Sequence, residues 1–248
     1  MDYLKEFTAK IQSLDRSRSP YEVFKDFLTL SAYSLAQPFY RSEEIELKYT
    51  YISNKYTKEQ AEEFPKLLAF LVSALEEQHQ DFLGEVFMQL NLGNAANGQY
   101  FTPYRVSKMM SKMTCVHVKK YAGSDIMTLC EPCCGSGGMI IAFAETLLEQ
   151  DINYQQCLYV EATDIDEMCY KMTYIQLSLL GIPAKIIWGD SLSMRYNEVL
   201  YTPFFFLGDF KQKLEDREKT NKMKDMLSEN TSTTQIVTGN QLKLFKFL

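Results

Sequence analysis

Glu131-Pro-Cys-Cys-Gly-Ser-Gly-Gly138 is the stretch on which the fold turns. It follows the short apolar run Ile126-Met-Thr-Leu-Cys130 and leads into Met139, Ile140, Phe143 and Leu147, which recur at helical spacing. A strand that breaks into glycines and resumes as a helix lets a ligand approach the backbone closely, because glycine places no Cβ in the way. Toward the C-terminus, Cys157-Leu-Tyr-Val160 reads as a second strand. Glu167 to Leu180 reads as a second helix stopped by Gly181 and Pro183, and Ala184-Lys-Ile-Ile-Trp188 as a third strand. Strand, helix, strand, helix, strand with short connections predicts an α/β, Rossmann-like fold with a parallel sheet and its ligand at the carboxyl ends of the strands.

Toward the N-terminus, residues 1–95 read as helical. Ser19-Pro20 offers a cap and a first-turn proline, after which Val23, Phe24, Phe27, Leu28 and Ala32 follow the helical period. Phe64, Leu67, Leu68, Leu71 and Leu75 repeat the pattern, as do Phe82, Val86, Phe87 and Leu90. Asn91 to Gly98 is the first clear break. From Lys211 the chain turns charged and polar. The expected organisation is a helical N-terminal region (1–95), a ligand-binding α/β domain (96–210), and a charged helix with a flexible tail (211–248).

Composition bounds the function. With 248 residues, 46% of them hydrophobic, one Rossmann-sized domain and a smaller helical part fit. The net charge of −6 argues against a protein whose affinity comes mainly from neutralising phosphates, so contact with DNA is expected to be local, transient or borrowed from a partner. No apolar run approaches the roughly 20 residues of a membrane span, and Met1-Asp-Tyr-Leu-Lys5 lacks the order of a signal peptide, so a cytoplasmic protein without a membrane partner is expected. Cys130-x-x-Cys133 has no second ligand pair, and His79 and His117 stand alone, so no metal site is expected.

The chemistry of the expected site lies in its carboxylates. Glu131, Asp164 and Asp190 each fall where a strand ends. Gathered around a glycine loop they would repel a dinucleotide pyrophosphate, whereas S-adenosylmethionine (SAM) presents a sulfonium, an ammonium and ribose hydroxyls that carboxylates can pair with or accept from. The pattern therefore favours SAM over NAD. Asp164 is placed to accept from the ribose hydroxyls and Asp190 from the adenine amine, with Ile165 and Met139 as apolar contacts to the ring. The competing structural reading is that Asp166 or Asp164 merely caps the following helix and that Asp190 merely ends a strand.

Gly98-Gln-Tyr-Phe-Thr-Pro103, Glu131-Pro-Cys-Cys-Gly-Ser-Gly-Gly-Met139, Ala162-Thr-Asp-Ile-Asp166 and Gly189-Asp-Ser191 together resemble the modification subunit of type I restriction-modification systems and related adenine-N6 DNA methyltransferases. Asp81-Phe-Leu-Gly-Glu-Val-Phe87 is similar to that family's last helix before its methionine-side motif. The resemblance implies that Phe101, Thr102 and Pro103 lie against the methionyl end of SAM, with Glu131, Cys133, Gly135 and Gly137 around its amino-acid moiety. It also implies DNA and a specificity subunit as partners.

The same resemblance fails at the catalytic motif. The family carries Asn-Pro-Pro-aromatic after its fourth strand, where the Asn side chain and a proline carbonyl accept the amine protons and the aromatic ring stacks on a flipped base. Here the nearest counterpart is Thr202-Pro203-Phe204-Phe205, with Pro203 to hold a carbonyl and Phe204 or Phe205 to stack; Thr202 cannot reproduce the Asn amide. An apolar core segment is the plain alternative, and no residues remain for a target-recognition domain. Gln241-Leu-Lys-Leu-Phe245 is similar to the peptide that grips the bacterial sliding clamp, with Gln241, Leu242, Leu244 and Phe245 as contacts; a last strand docked on its own domain is the alternative. Three functions follow: an adenine-N6 DNA methyltransferase of phage, plasmid or restriction origin; a catalytically inactive SAM-binding protein acting on restriction or replication machinery as regulator or decoy; and a methyltransferase for RNA, protein or a small molecule.

Overall fold

The computed structural model describes residues 2–90, 100–115 and 126–223. Gly98 and Gln99 of the methionine-side motif, His117, and the clamp-like Gln241, Leu242, Leu244 and Phe245 lie outside them. The chain divides into two compact units, Met1–Gly208 and Asp209–Leu248.

The first unit opens with α1 (Tyr3–Leu14), α2 (Pro20–Tyr40), α3 (Glu43–Ser53), α4 (Lys58–Ala61), α5 (Glu63–Glu77) and α6 (Phe82–Gln89). The Ser19-Pro20 signal works as expected. The Ser19 hydroxyl accepts the Glu22 N–H at 3.3 Å, the Glu22 carboxylate accepts the Ser19 N–H at 2.9 Å, and Pro20 fills the first turn. Phe7, Phe27 and Phe82 bring α1, α2 and α6 together, with ring centroids 5.2 and 5.4 Å apart in edge-on contacts.

There follow α7 (Tyr104–Thr114), β1 (Met127–Glu131), α8 (Gly138–Leu148), α9 (Tyr154–Cys157), β2 (Leu158–Asp164), α10 (Glu167–Leu179), β3 (Ala184–Asp190), β4 (Arg195–Tyr201) and α11 (Pro203–Leu207). The sheet order is β1-β2-β3-β4. β1, β2 and β3 run parallel, with Glu131 opposite Ala162 and Asp164 opposite Trp188, so all three strands end at one edge. One face, with Leu158, Val160, Ala162, Ala184 and Ile186, is buried, and α10 packs against β2 and β3. The other face carries exposed Thr128 and Cys130 and the half-buried pair Glu161 and Lys185, 3.3 Å apart.

The sheet departs from expectation after Asp190. The sequence shows only a short run at Val199-Leu-Tyr201, but the strand begins at Arg195 and runs antiparallel to β3, with Arg195 opposite Asp190 and Tyr201 opposite Lys185. Gly189 permits this hairpin: it sits at a register shift where a Cβ would come within 2.5 Å of the Arg195 carbonyl oxygen. Met194 closes the turn in the left-handed region, φ 57°. β4 therefore starts at the carboxyl edge of the sheet and ends at its amino edge.

In the second unit, residues 210–223 form α12. Asp216 accepts from Gln212 at 2.9 Å and pairs with Lys219 at 3.3 Å, and the Lys213 ammonium lies 4.5 Å from the centroid of the Phe210 ring. No helix among the described residues is long and apolar enough to cross a membrane.

Candidate cofactor cleft

The carboxyl edge of β1, β2 and β3 opens into a cleft of 580 Å³, within the range of about 300–1,000 Å³ usual for small-molecule sites. Its wall includes Phe101, Thr102, Cys133, Gly135, Asp164, Ile165 and Asp190, all singled out from the sequence. Met139 lines it too. Pro103, Glu131 and Gly137 adjoin the wall without lining it: Pro103 precedes α7, Glu131 ends β1, and Gly137 precedes α8.

The glycine loop is built as the sequence predicts and is held from three sides. Gly135 and Gly137 adopt φ of +55° and +92°, a region that favours glycine. The Gly135 N–H donates to Asp164 Oδ2 at 2.8 Å, and the Cys134 N–H donates to the Thr163 carbonyl at 3.0 Å, so the end of β2 clamps the loop. Thr173 of α10 donates to the Gly135 carbonyl at 2.9 Å. A Cβ at Gly135 would meet the Phe101 ring at 3.1 Å, and that ring also packs on Phe87 at 5.1 Å.

Each strand-end carboxylate has a distinct environment. Glu131, half-buried, accepts the Cys133 N–H at 3.4 Å; burial and then the nearby Asp164 raise its pKa. Burial raises that of Asp164 as well, partly offset by the Asp166 N–H, which it accepts at 2.9 Å, and by the Gly135 N–H. Asp190 is the reverse case. It accepts from the Ser193 hydroxyl at 2.8 Å, from the Leu192 N–H at 2.9 Å and from the Ser193 N–H at 3.3 Å, and these bonds lower its pKa. Asp190 thus both shapes the β3-β4 turn and lines the cleft. The cap reading holds for Asp166, which accepts the Met168 and Cys169 N–H groups at the start of α10. Ile165 projects into solvent, 72% exposed, while the Trp188 indole N–H holds its carbonyl at 3.1 Å.

Sequence reasoning missed the support behind the loop. Asp81 is buried, lines the cleft, and accepts from Ser136 Oγ at 2.5 Å, Gln176 Nε2 at 3.0 Å and the Gly84 N–H at 3.1 Å. Gln176 also donates to the Ser136 carbonyl at 2.8 Å and accepts the Leu83 N–H at 3.0 Å. Burial raises the Asp81 pKa against these three donors. A polar residue in the apolar-spaced α10 was the available signal for Gln176.

Pro203 and Phe204 are not brought to the cleft. The antiparallel course of β4 delivers Thr202 to the amino edge of the sheet, where it is fully buried, donates to the Ile182 carbonyl at 2.7 Å and accepts the Ala184 N–H at 2.9 Å. The Phe204 ring covers the Gly181 turn, 3.0 Å from where a Cβ would stand. Phe205 packs on Tyr201 at 4.4 Å, and Phe206 on Phe39 at 5.3 Å. This segment fastens α11 to α2 and the sheet. Among the described residues no group of three or more His, Cys, Asp and Glu side chains could hold a metal ion.

A parallel β-α-β-α-β unit with a positive-φ glycine loop and carboxylates at successive strand ends defines a protein of the Rossmann-like α/β class. More narrowly, the chain belongs to the N-6 DNA methylase family, whose profile matches residues 78–232. It is 28% identical over 114 residues to the type I restriction enzyme MjaIX methylase subunit of Methanocaldococcus jannaschii, a match covering 44% of this chain and 19% of that subunit. Among solved structures it is similar to a protein from Listeria monocytogenes described as a class I S-adenosylmethionine-dependent methyltransferase, with 14% identity, TM-score 0.45, and coverage of 77% of this chain and 52% of that one. It is also similar to the type I restriction-modification methyltransferase subunit from Streptococcus thermophilus, with 12% identity, TM-score 0.35, and coverage of 73% and 55%. The chain thus spans about a fifth of the methylase subunit and about half of each solved structure.

Proposed function

We propose that the cleft binds SAM and that the chain is the cofactor-holding part of an adenine-N6 DNA methyltransferase system. The observation that carries this reading is the convergence of Asp164, Asp190, the Gly135 loop and Phe101 on one 580 Å³ space. The donor set suits the molecule: aspartates for cationic groups and ribose hydroxyls, Ile165 and Met139 for an adenine ring, and a backbone with room for the amino-acid end. Glu131, Cys133, Gly137, Thr102 and Pro103 support the same end from around the wall. SAM when bound supplies an electrophilic methyl group; the chain's residues orient it.

A second reading has its own observation. Thr202, Pro203 and Phe204 lie at the far edge of the sheet, so the groups that would accept the adenine amine protons do not come from them. In this reading the protein holds SAM without turnover, with or without a partner subunit, and acts on restriction or replication machinery as a regulator or decoy. Thermal melting with SAM and with S-adenosylhomocysteine tests the pocket, since a ligand that binds only the folded state raises the melting temperature. Transfer of labelled methyl groups to DNA separates the two readings. Stabilisation by both ligands with transfer supports the first, and stabilisation without transfer the second. Neither ligand shifting the transition at saturation refutes both.

A further inference from the structure

Helix α7 wears its apolar side outward. A helix packed on a protein core normally turns its apolar stripe inward. α7 packs on α8, yet the residues it buries are Ser107 and Ser111, and Tyr104 reaches α8 through a 2.8 Å hydrogen bond to Glu145. Its apolar residues Val106, Met109, Met110 and Met113 follow the spacing i, i+3, i+4 and i+7, which gathers them on one side of the helix. All four are exposed, Met109 at 58% and Met113 at 71%. Apolar side chains scattered singly over a surface are ordinary, whereas a continuous stripe along one helix marks an interaction site.

The charges beside the stripe say what covers it. Arg105, Lys108 and Lys112 line a shallow surface hollow together with Met109 and Met113, so one flank of the stripe is basic on a chain whose net charge is −6. Lys108 pairs with Glu145 at 2.5 Å and Glu149 at 3.0 Å, and Lys112 pairs with Glu149 at 2.8 Å. A nucleic-acid backbone laid here would meet those glutamates and leave the methionines unused. An amphipathic helix with an acidic flank uses both features: its apolar residues meet flexible methionines, which adapt to the shape of a partner, and its carboxylates meet the guanidinium and ammonium donors. We propose that the Val106–Met113 face of α7 is a docking site for an amphipathic helix of a partner protein, apolar along one side and acidic on the flank that meets Arg105 and Lys112. Because α7 begins at the cleft, whose wall includes Thr102 and Ser107, the partner is held beside that cleft whatever the cleft binds.

The test is fluorescence anisotropy of the full chain with a labelled helical peptide of about 18 residues, five turns long, carrying leucine at i, i+3, i+4 and i+7 and glutamate on one flank. Saturable binding is expected. Replacing both Met109→Ser and Met113→Ser should weaken it at least about tenfold, because two apolar contacts are lost, and the variant should still fold because both side chains stand in solvent. A peptide with the same leucines and a lysine flank should bind at least about tenfold more weakly than the glutamate one. No saturable binding of the acidic peptide overturns the proposal, as does equal affinity for the two peptides or indifference to the double substitution. A native mass of two chains that falls to one in the double variant would place a second copy on the face, and a DNA duplex whose binding the double variant loses would place nucleic acid there; either result also overturns it.

Discussion

Ser136 Oγ donates to Asp81 Oδ2 at 2.5 Å, joining the glycine loop to the residue that caps α6, 55 positions earlier in the chain. Asp81→Ala would leave the Ser136 hydroxyl, one Gln176 N–H and the Gly84 N–H unpaired in a buried place. Urea denaturation should show a loss of about 1–3 kcal/mol or more, with SAM affinity falling too because the loop loses its anchor. Unchanged stability would mean that the network does not hold the loop.

Gly84 and Gly138 make room for that same carboxylate. A Cβ at Gly84 would stand 2.3 Å from Asp81 Oδ2 and 2.5 Å from Ser136 Oγ, and one at Gly138 would stand 2.8 Å from Asp81 Oδ2. Gly84→Ala is therefore expected to destabilise by about 1–3 kcal/mol despite alanine's better helix propensity. A rise in melting temperature for this variant would contradict the packing described here.

The carboxylates predict a pH dependence with a definite sign. Burial raises the pKa of Glu131 and Asp164, so in the ligand-free protein they hold protons to higher pH than in the unfolded chain. Their contribution to folding is then greatest at low pH and is lost as pH rises through the raised values. A cationic ligand favours the ionised forms, so SAM affinity should increase over that same interval and level off above it. Titration in buffers of different ionisation enthalpy should detect proton release at mildly acidic pH; proton uptake would reverse the assignment.

Thr202 and Phe204 should behave as structural residues. Thr202→Val removes two buried hydrogen bonds and is expected to cost about 1–3 kcal/mol while leaving SAM affinity within twofold. Phe204→Ala should destabilise by about 3–5 kcal/mol at most, given a partly buried ring, with the same indifference of the cleft. A large loss of ligand affinity in either folded variant would place the segment nearer the cleft than the amino edge.

Periodicity and glycine placement made the parallel strands, their helices and the loop legible, because those features are local. The capping box at Ser19 and the stop at Gly181 were legible for the same reason. The hairpin was not, since a strand of Arg-Tyr-Asn-Glu-Val-Leu-Tyr alternates poorly and its partner lies across a turn fixed by Asp190 and Gly189. Nor were Asp81 and Gln176 readable as partners: their pairing crosses 95 positions and exists only once α6 packs on α10.

The backward turn of β4 also fixes where this sheet can grow. In a doubly wound sheet the ligand crevice lies where strand order reverses, with strands on both sides. Here successive strands step away from β1 in one direction, so among the described residues Met127–Glu131 has a single neighbour. That border contains no lysine, proline or bulge to blunt it. Among the described residues the floor of the cleft is finished under β2 and β3 and stops at β1, like a bench with one armrest.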